Sequence, residues 1–143
     1  MKKLLFLFAI PVVLSVTSCK KAGCRDSEAV NYSSSAKKED QSCTYKGEIV
    51  FWNDQTISQD MINFGITSLT YYVDGQVVGS SASSIYWTSS PSCGQNGSIT
   101  ITKDLGSAKN KSYNYSVVDQ NDVELWAGVA NFTANTCTKI QLN

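Results

Sequence analysis

The sequence from Gly47 onward predicts an all-β fold, an antiparallel β-sandwich of about seven short strands. Three observations carry that expectation. Helix signals are sparse, runs rich in β-branched and aromatic residues recur, and turn chemistry separates one run from the next.

In chain order, residues 48–52 (E-I-V-F-W) form the first β-rich run. Residues 58–63 hold the one helical turn the sequence suggests. Runs 66–73 and 76–80 flank Asp74-Gly75, and a two-residue Asp-Gly loop between such runs predicts a hairpin. Residues 80–95 break the pattern. This Ser-rich stretch with Trp87, Pro91 and Cys93 reads as a long connection, with a short strand expected at 85–88. Residues 98–103 alternate, Ile99 and Ile101 on one face and Ser98, Thr100 and Thr102 on the other; residues 112–118 do the same with Tyr113, Tyr115 and Val117. Runs 123–133 and 137–142 complete the set. The turns are read at Asp104-Leu105-Gly106, Asp119-Gln120-Asn121-Asp122 and Ala134-Asn135-Thr136.

The first eighteen residues have the three parts of an export signal. Lys2 and Lys3 are followed by an apolar run over 4–14, and small and hydroxyl residues lead to Cys19. The apolar run falls short of the roughly 20 residues that span a bilayer. Val16-Thr17-Ser18-Cys19 resembles a bacterial lipobox. That resemblance implies a diacylglyceryl group on the Cys19 thiol, removal of residues 1–18, and a palmitate-type chain on the new amine. Two or three chains, at about 0.8 kcal/mol per buried CH₂, hold a protein durably on a membrane. The alternative is a secreted protein cut near Ser18 with Cys19 an ordinary thiol. Cysteine arithmetic favours lipidation. Five cysteines are an odd set for an exported chain, whereas using Cys19 leaves Cys24, Cys43, Cys93 and Cys137, an even set suited to an oxidising compartment.

The expected organisation is a signal peptide (1–18), a tether (19–22), a disulfide-closed segment (23–45) and the sandwich (46–143). Within 23–45, Gly23-Cys24-x-Asp26, Ala29, Asn31-Tyr32, Ala36, Asp40, Ser42-Cys43 and Tyr45 resemble a small motif of exported proteins from Bacteroidetes-type bacteria. The chain departs from it at Gln41, where the motif prefers Gly, so a differently built turn is expected there. A Cys24–Cys43 bridge closes a loop of about 20 residues, for which chain entropy gives about 3 kcal/mol. Tyr32 and Tyr45 are expected to cover it, and the segment reads as a polar, stapled spacer. Asp26, Glu28, Glu39 and Asp40 invite a calcium reading. The lysines among them and the lack of a D-x-D-x-D-G ladder favour a solvated segment without a metal. Four cysteines allow three connectivities. The preferred one adds Cys93–Cys137, tying the Ser-rich connection to the last strand.

The later region, through Tyr72-Val73-Asp74-Gly75, Pro91-Ser92-Cys93-Gly94, Tyr113-x-Tyr115 and Trp126-x-Gly128, is similar to small Bacteroidetes-type lipoprotein domains. That resemblance implies a sandwich of immunoglobulin or transthyretin type and supplies no activity.

Charge and composition narrow the function. The chain is formally neutral, with 12 basic and 12 acidic residues, and turns weakly acidic once Lys2 and Lys3 are removed. So weak a balance makes no case for nucleic acid or an anionic membrane face. Histidine is absent, which removes Ser-His-Asp and Cys-His catalysis. Asp104, Asp119, Asp122 and Glu124 fall at predicted turns, where turn chemistry explains them without a catalytic carboxylate pair. No catalytic residue, cofactor or metal is assigned. Trp52 and Trp126 lie in predicted strands and read as packing. Trp87, beside Tyr86, is the aromatic expected to be exposed.

The leading expectation is a non-enzymatic, lipid-anchored binding or structural module of the bacterial envelope, with an unknown envelope protein or glycan as partner. The alternative is a carbohydrate-binding lipoprotein using Tyr86 and Trp87. Lys20 and Lys21, rather than acids, follow Cys19, which points to an outer-membrane anchor facing the periplasm; display at the cell surface is the competing placement.

Overall fold

A computed structural model describes residues 20–143; the signal segment and Cys19 lie outside the described residues. Seven strands, β1 (Tyr45–Trp52), β2 (Ser68–Val73), β3 (Gln76–Ala82), β4 (Ile99–Gly106), β5 (Asn110–Asp119), β6 (Glu124–Thr133) and β7 (Cys137–Gln141), and one helix, α1 (Gln55–Asn63), form a two-layer sandwich. One sheet runs β4-β1-β7 and the other β3-β2-β5-β6. The all-β expectation is met. The immunoglobulin order pairs the first strand with the second. Here β1 lies between β4 and β7 instead, and its pairing with β7 is parallel, from Glu48↔Cys137 to Trp52↔Gln141. The other named pairings are antiparallel.

The alternation seen in the sequence becomes the core. Ile49 and Phe51 of β1 face Leu69, Tyr71 and Val73 of β2, Val117 of β5 and Phe132 of β6, all almost fully buried. Phe51 sits between the rings of Tyr71 (5.4 Å) and Tyr115 (5.1 Å), spacings at which tilted aromatic pairs add to area burial. Gly128 makes room for Tyr115, since a Cβ there would lie 2.9 Å from the ring.

Local chemistry sets the turns. Asp74 (φ 57°) and Gly75 (φ 69°) are both left-handed, as a two-residue primed hairpin turn requires. Asp119 accepts the amides of Asn121 (2.8 Å) and Val123 (2.9 Å), closing the β5–β6 turn. Asp104 accepts the Gly106 amide at 2.7 Å, but the predicted turn at 104–106 is displaced. β4 continues through the buried Leu105, whose apolar side chain belongs to the core, and turns after Gly106.

The Ser-rich connection holds no strand at 85–88; its backbone there makes isolated bonds instead of a ladder, from the Ile85 N–H to the Ala82 carbonyl (3.1 Å), from the Trp87 N–H to the Asn53 carbonyl (3.0 Å) and from the Asn53 side chain to the Ile85 carbonyl (3.2 Å). Side-chain and disulfide ties take the place of a ladder. Ser83 Oγ donates to the Ile66 carbonyl (2.6 Å), Gly94 N–H to Thr100 Oγ1 (2.9 Å) and Lys139 Nζ to Ser90 Oγ (3.1 Å), while Cys93 bonds Cys137. Thr100, Cys137 and Lys139 stand on the outer face of the three-stranded sheet, so the connection lies across that face. Val50, which points the same way, is consequently buried.

Candidate functional site

The two ends of the sandwich differ in chemistry. At the end where β1 begins, the Cys-rich segment is docked onto the body. Cys24 and Cys43 are bonded, with Cα atoms 4.9 Å apart, and Cys24, Ala29 and Tyr45 join the main core. The segment is therefore part of the folded body, not a spacer. Most motif residues have a structural task. The Asn31 side chain donates to the Ser42 carbonyl (2.6 Å) and accepts the Thr44 amide (2.9 Å). Asp40 caps the Ser42 amide (3.0 Å), and a Cβ on Gly23 would press on Ala36 at 3.3 Å. Gln41 itself adopts the left-handed conformation (φ 63°), so the turn keeps its shape without glycine. Tyr45 is buried as expected, whereas Tyr32 is 47 % exposed.

The docking contact was not foreseen from sequence. Lys109, from the β4–β5 turn, lies 2.6 Å from both Asp26 and Glu28, and Tyr45 Oη donates to Asp26 at 2.9 Å. The Lys109 hydrogen bond, then the Glu28 amide and the Tyr45 hydroxyl, hold the Asp26 carboxyl down at about 2. The same carboxylates push the Lys109 amine up. A groove of about 440 Å³ runs beside this contact, its mixed lining including Glu28, Ala29, Val30, Lys46, Thr102 and Asn135.

The four acids considered for calcium are thus engaged elsewhere. Asp26 and Glu28 hold Lys109, Glu39 accepts the amides of Arg25 (2.7 Å) and Gln41 (2.9 Å), and Asp40 caps Ser42. Glu39 does approach both sulfurs of the Cys24–Cys43 pair. Their mutual bond removes the thiolates a metal would need.

At the opposite end, α1 builds an apolar cleft. Asp54 caps the helix, accepting the Ile57 amide (3.0 Å), which starts it three residues before the sequence-predicted turn. Its end is a Schellman motif: Gly65 (φ 76°) donates to the Ile62 carbonyl (3.0 Å) and Ile66 folds back to the Met61 carbonyl (2.9 Å). The fold-back sets Ile66 beside Met61 and leaves Phe64, at the C-cap, 84 % exposed. Ile57, Met61, Phe64, Ile66, Leu125 and Trp126, with Asp60, line a cleft of about 210 Å³. Ile62 (45 %) and Val123 (54 %) are further exposed apolar groups at this end. Gln120 fixes the position of the helix exit by donating to the Gly65 carbonyl (3.2 Å) and accepting the Thr67 amide (3.0 Å).

The aromatic pair singled out in the sequence is divided. Tyr86 is 42 % exposed, whereas Trp87 is only partly exposed, and neither lines the cleft or the groove. Trp52 and Trp126 are half-buried, and the Trp126 indole donates to the Asn143 carbonyl (3.2 Å). No helix among the described residues is long and apolar enough to cross a membrane. No protein-family model, curated protein or solved structure matches this chain.

Proposed function

We propose that the protein is a lipoprotein of the bacterial envelope, a non-enzymatic binding module held to a membrane by fatty chains on Cys19. The observation that carries this reading is polarity. The described chain begins at Lys20, beside the Cys-rich segment at one end of the sandwich, and the exposed apolar cleft lies at the other, roughly 25 Å away along the eight residues of β1. The lipobox-like sequence before Cys19, the even set of remaining cysteines and the absence of histidine support the same reading.

The membrane-facing end adds an electrostatic argument that net charge conceals. Ala22 bridges Lys38 in parallel, and the Lys37 amide donates to the Lys21 carbonyl at 2.8 Å. Lys37 and Lys38 thereby join Lys20 and Lys21 in an exposed group next to the anchor. Basic side chains so placed contribute about 1 kcal/mol each at an anionic surface. The outer membrane, with the domain facing the periplasm, is the proposed site.

Intact mass spectrometry of the native protein tests the anchor. The expected mass is that of residues 19–143 plus diacylglyceryl and acyl chains, with Cys19→Ser releasing the domain from membranes. A bare Cys19 sulfur, or residues 1–18 still attached, overturns the proposal. Sugar binding through Tyr86 is the weaker reading, because Trp87 offers little free ring; a glycan array with Tyr86→Ala and Trp87→Ala decides it.

A further inference from the structure

We propose that the Phe64 end of the molecule is a docking surface for a protein partner presenting an apolar side chain flanked by lysine or arginine. This deepens the binding-module reading and rests on its view of which end is free.

The apolar feature of this end is the cleft. Phe64 stands 84 % exposed beside a cavity whose other walls are Ile57, Met61, Ile66, Leu125 and Trp126, with Asp60. A phenylalanine held out by a capped helix end costs solvation in the free protein. It also matches the composition of interface centres, where aromatic residues are enriched and charged ones depleted. The volume suits a single inserted side chain.

Charge decides the occupant. The sequence contains no lysine or arginine between Lys46 and Lys103, nor between Lys111 and Lys139. The cleft end is assembled from those two basic-free stretches, through α1, the Gly65–Thr67 exit and the β5–β6 turn. Its exposed carboxylates, Asp60 on the cleft wall and Asp122 in the β5–β6 turn, have no ion-pair partner among the described residues. Asp54 and Asp119, by contrast, are occupied as caps. An apolar pocket with an unpaired carboxylate on its wall, on an end without lysine or arginine, selects a cationic, apolar segment and disfavours an anionic lipid surface. A second copy of this chain would meet the same carboxylates with its own.

The test uses the native, full mature protein in neutral phosphatidylcholine nanodiscs, with empty nanodiscs subtracted. The probes are a synthetic amphipathic leucine–lysine peptide, its leucine–glutamate counterpart and a lysine–serine peptide lacking apolar residues. Titration calorimetry is expected to show binding of the first and at least tenfold weaker binding of the other two. Phe64→Ser and, separately, Asp60→Lys are expected to weaken the leucine–lysine peptide about tenfold, as loss of a central anchor or of charge complementarity does. Both positions are exposed and neither has a left-handed backbone, so the fold survives these changes. Equal binding of the lysine and glutamate peptides, indifference to Phe64→Ser, or no binding at millimolar peptide overturns the proposal. Self-association that Phe64→Ser abolishes makes a second copy the occupant and overturns it too. The lipid is read by mass and docking by calorimetry, so either can fail without the other.

Discussion

Asp26 gathers three donors at one carboxylate: Lys109 Nζ at 2.6 Å, Tyr45 Oη at 2.9 Å and the Glu28 amide at 3.0 Å. Tyr45 is almost fully buried, so Asp26 anchors the Cys-rich segment to a residue that cannot move without disturbing the core. Lys109 also lies 5.6 Å from the Tyr45 ring, within cation–π range. These donors favour the ionised form and hold the folded carboxyl at about 2, below its ordinary 3.8. A depressed carboxyl contributes stability that is complete above its unfolded value and disappears as pH falls through its folded value. The window therefore lies between about pH 4 and pH 2. Asp26→Asn is expected to flatten the loss of melting temperature across that window relative to the wild type. Thermal melts at closely spaced pH values check this, and identical acid slopes would sink the assignment. Gln41 shows a different kind of residue-level constraint: it holds a left-handed φ of 63° without glycine's freedom, at an expense of about 1–2 kcal/mol that the surrounding caps and bridge offset.

Among the elements, β1 is the one every layer depends on. It hydrogen-bonds β4 and β7, and its Gly47 lies against the corner where the chain leaves β6 for β7. A Cβ at Gly47 would come within 2.7 Å of the Thr133 carbonyl oxygen and 3.2 Å of Phe132 Cβ. Backbone cannot yield as a side-chain tip does. Gly47→Ala is accordingly expected to cost about 2–3 kcal/mol, read as a lower urea midpoint with an unchanged slope. A change under about 0.5 kcal/mol would show that the β6–β7 corner is loosely held. Much of this element plan was legible in the sequence, because alternation in β4 and β5 and the Asp74-Gly75 turn are local signals. The pairing of β1 with β7 was not, since it joins strands separated by most of the chain and leaves no local trace. The cleft was partly legible: Asp54 and Gly65 mark both helix ends, yet Phe64 in a string reads as one more core residue. Only the Schellman geometry turns it outward. Lys109 carried no signal at all, being a lysine in a turn until the fold brings Asp26 and Glu28 to it.

At the scale of the whole molecule, the question is whether the Cys-rich segment and the sandwich unfold together. A polar tether stapled by a disulfide would open alone. Here Cys24 and Ala29 are counted with Phe51 and Phe132 in one buried cluster, and the Val30 amide donates to the Thr44 carbonyl (2.8 Å) directly before β1. The Lys109 contact joins the segment to the β4–β5 turn, and the groove beside it is walled by both parts. Opening the segment therefore exposes core and releases the start of the central strand. Removing the bridge with Cys24→Ala and Cys43→Ala relieves the unfolded chain of a loop closure worth about 3 kcal/mol. That loss is expected to fall on the entire protein as one transition. Two probes separate the cases: fluorescence of Trp52, Trp87 and Trp126, all in the sandwich, and hydrogen exchange at the Val30 amide in the segment. Both are expected to shift to the same new midpoint in denaturant. If Val30 loses protection while the tryptophan midpoint stays in place, the segment is an independent appendage and the two ends of the molecule are not mechanically joined. If both move together, the lipid-proximal bridge sets the stability of the very body that holds α1 and Phe64 at the far end.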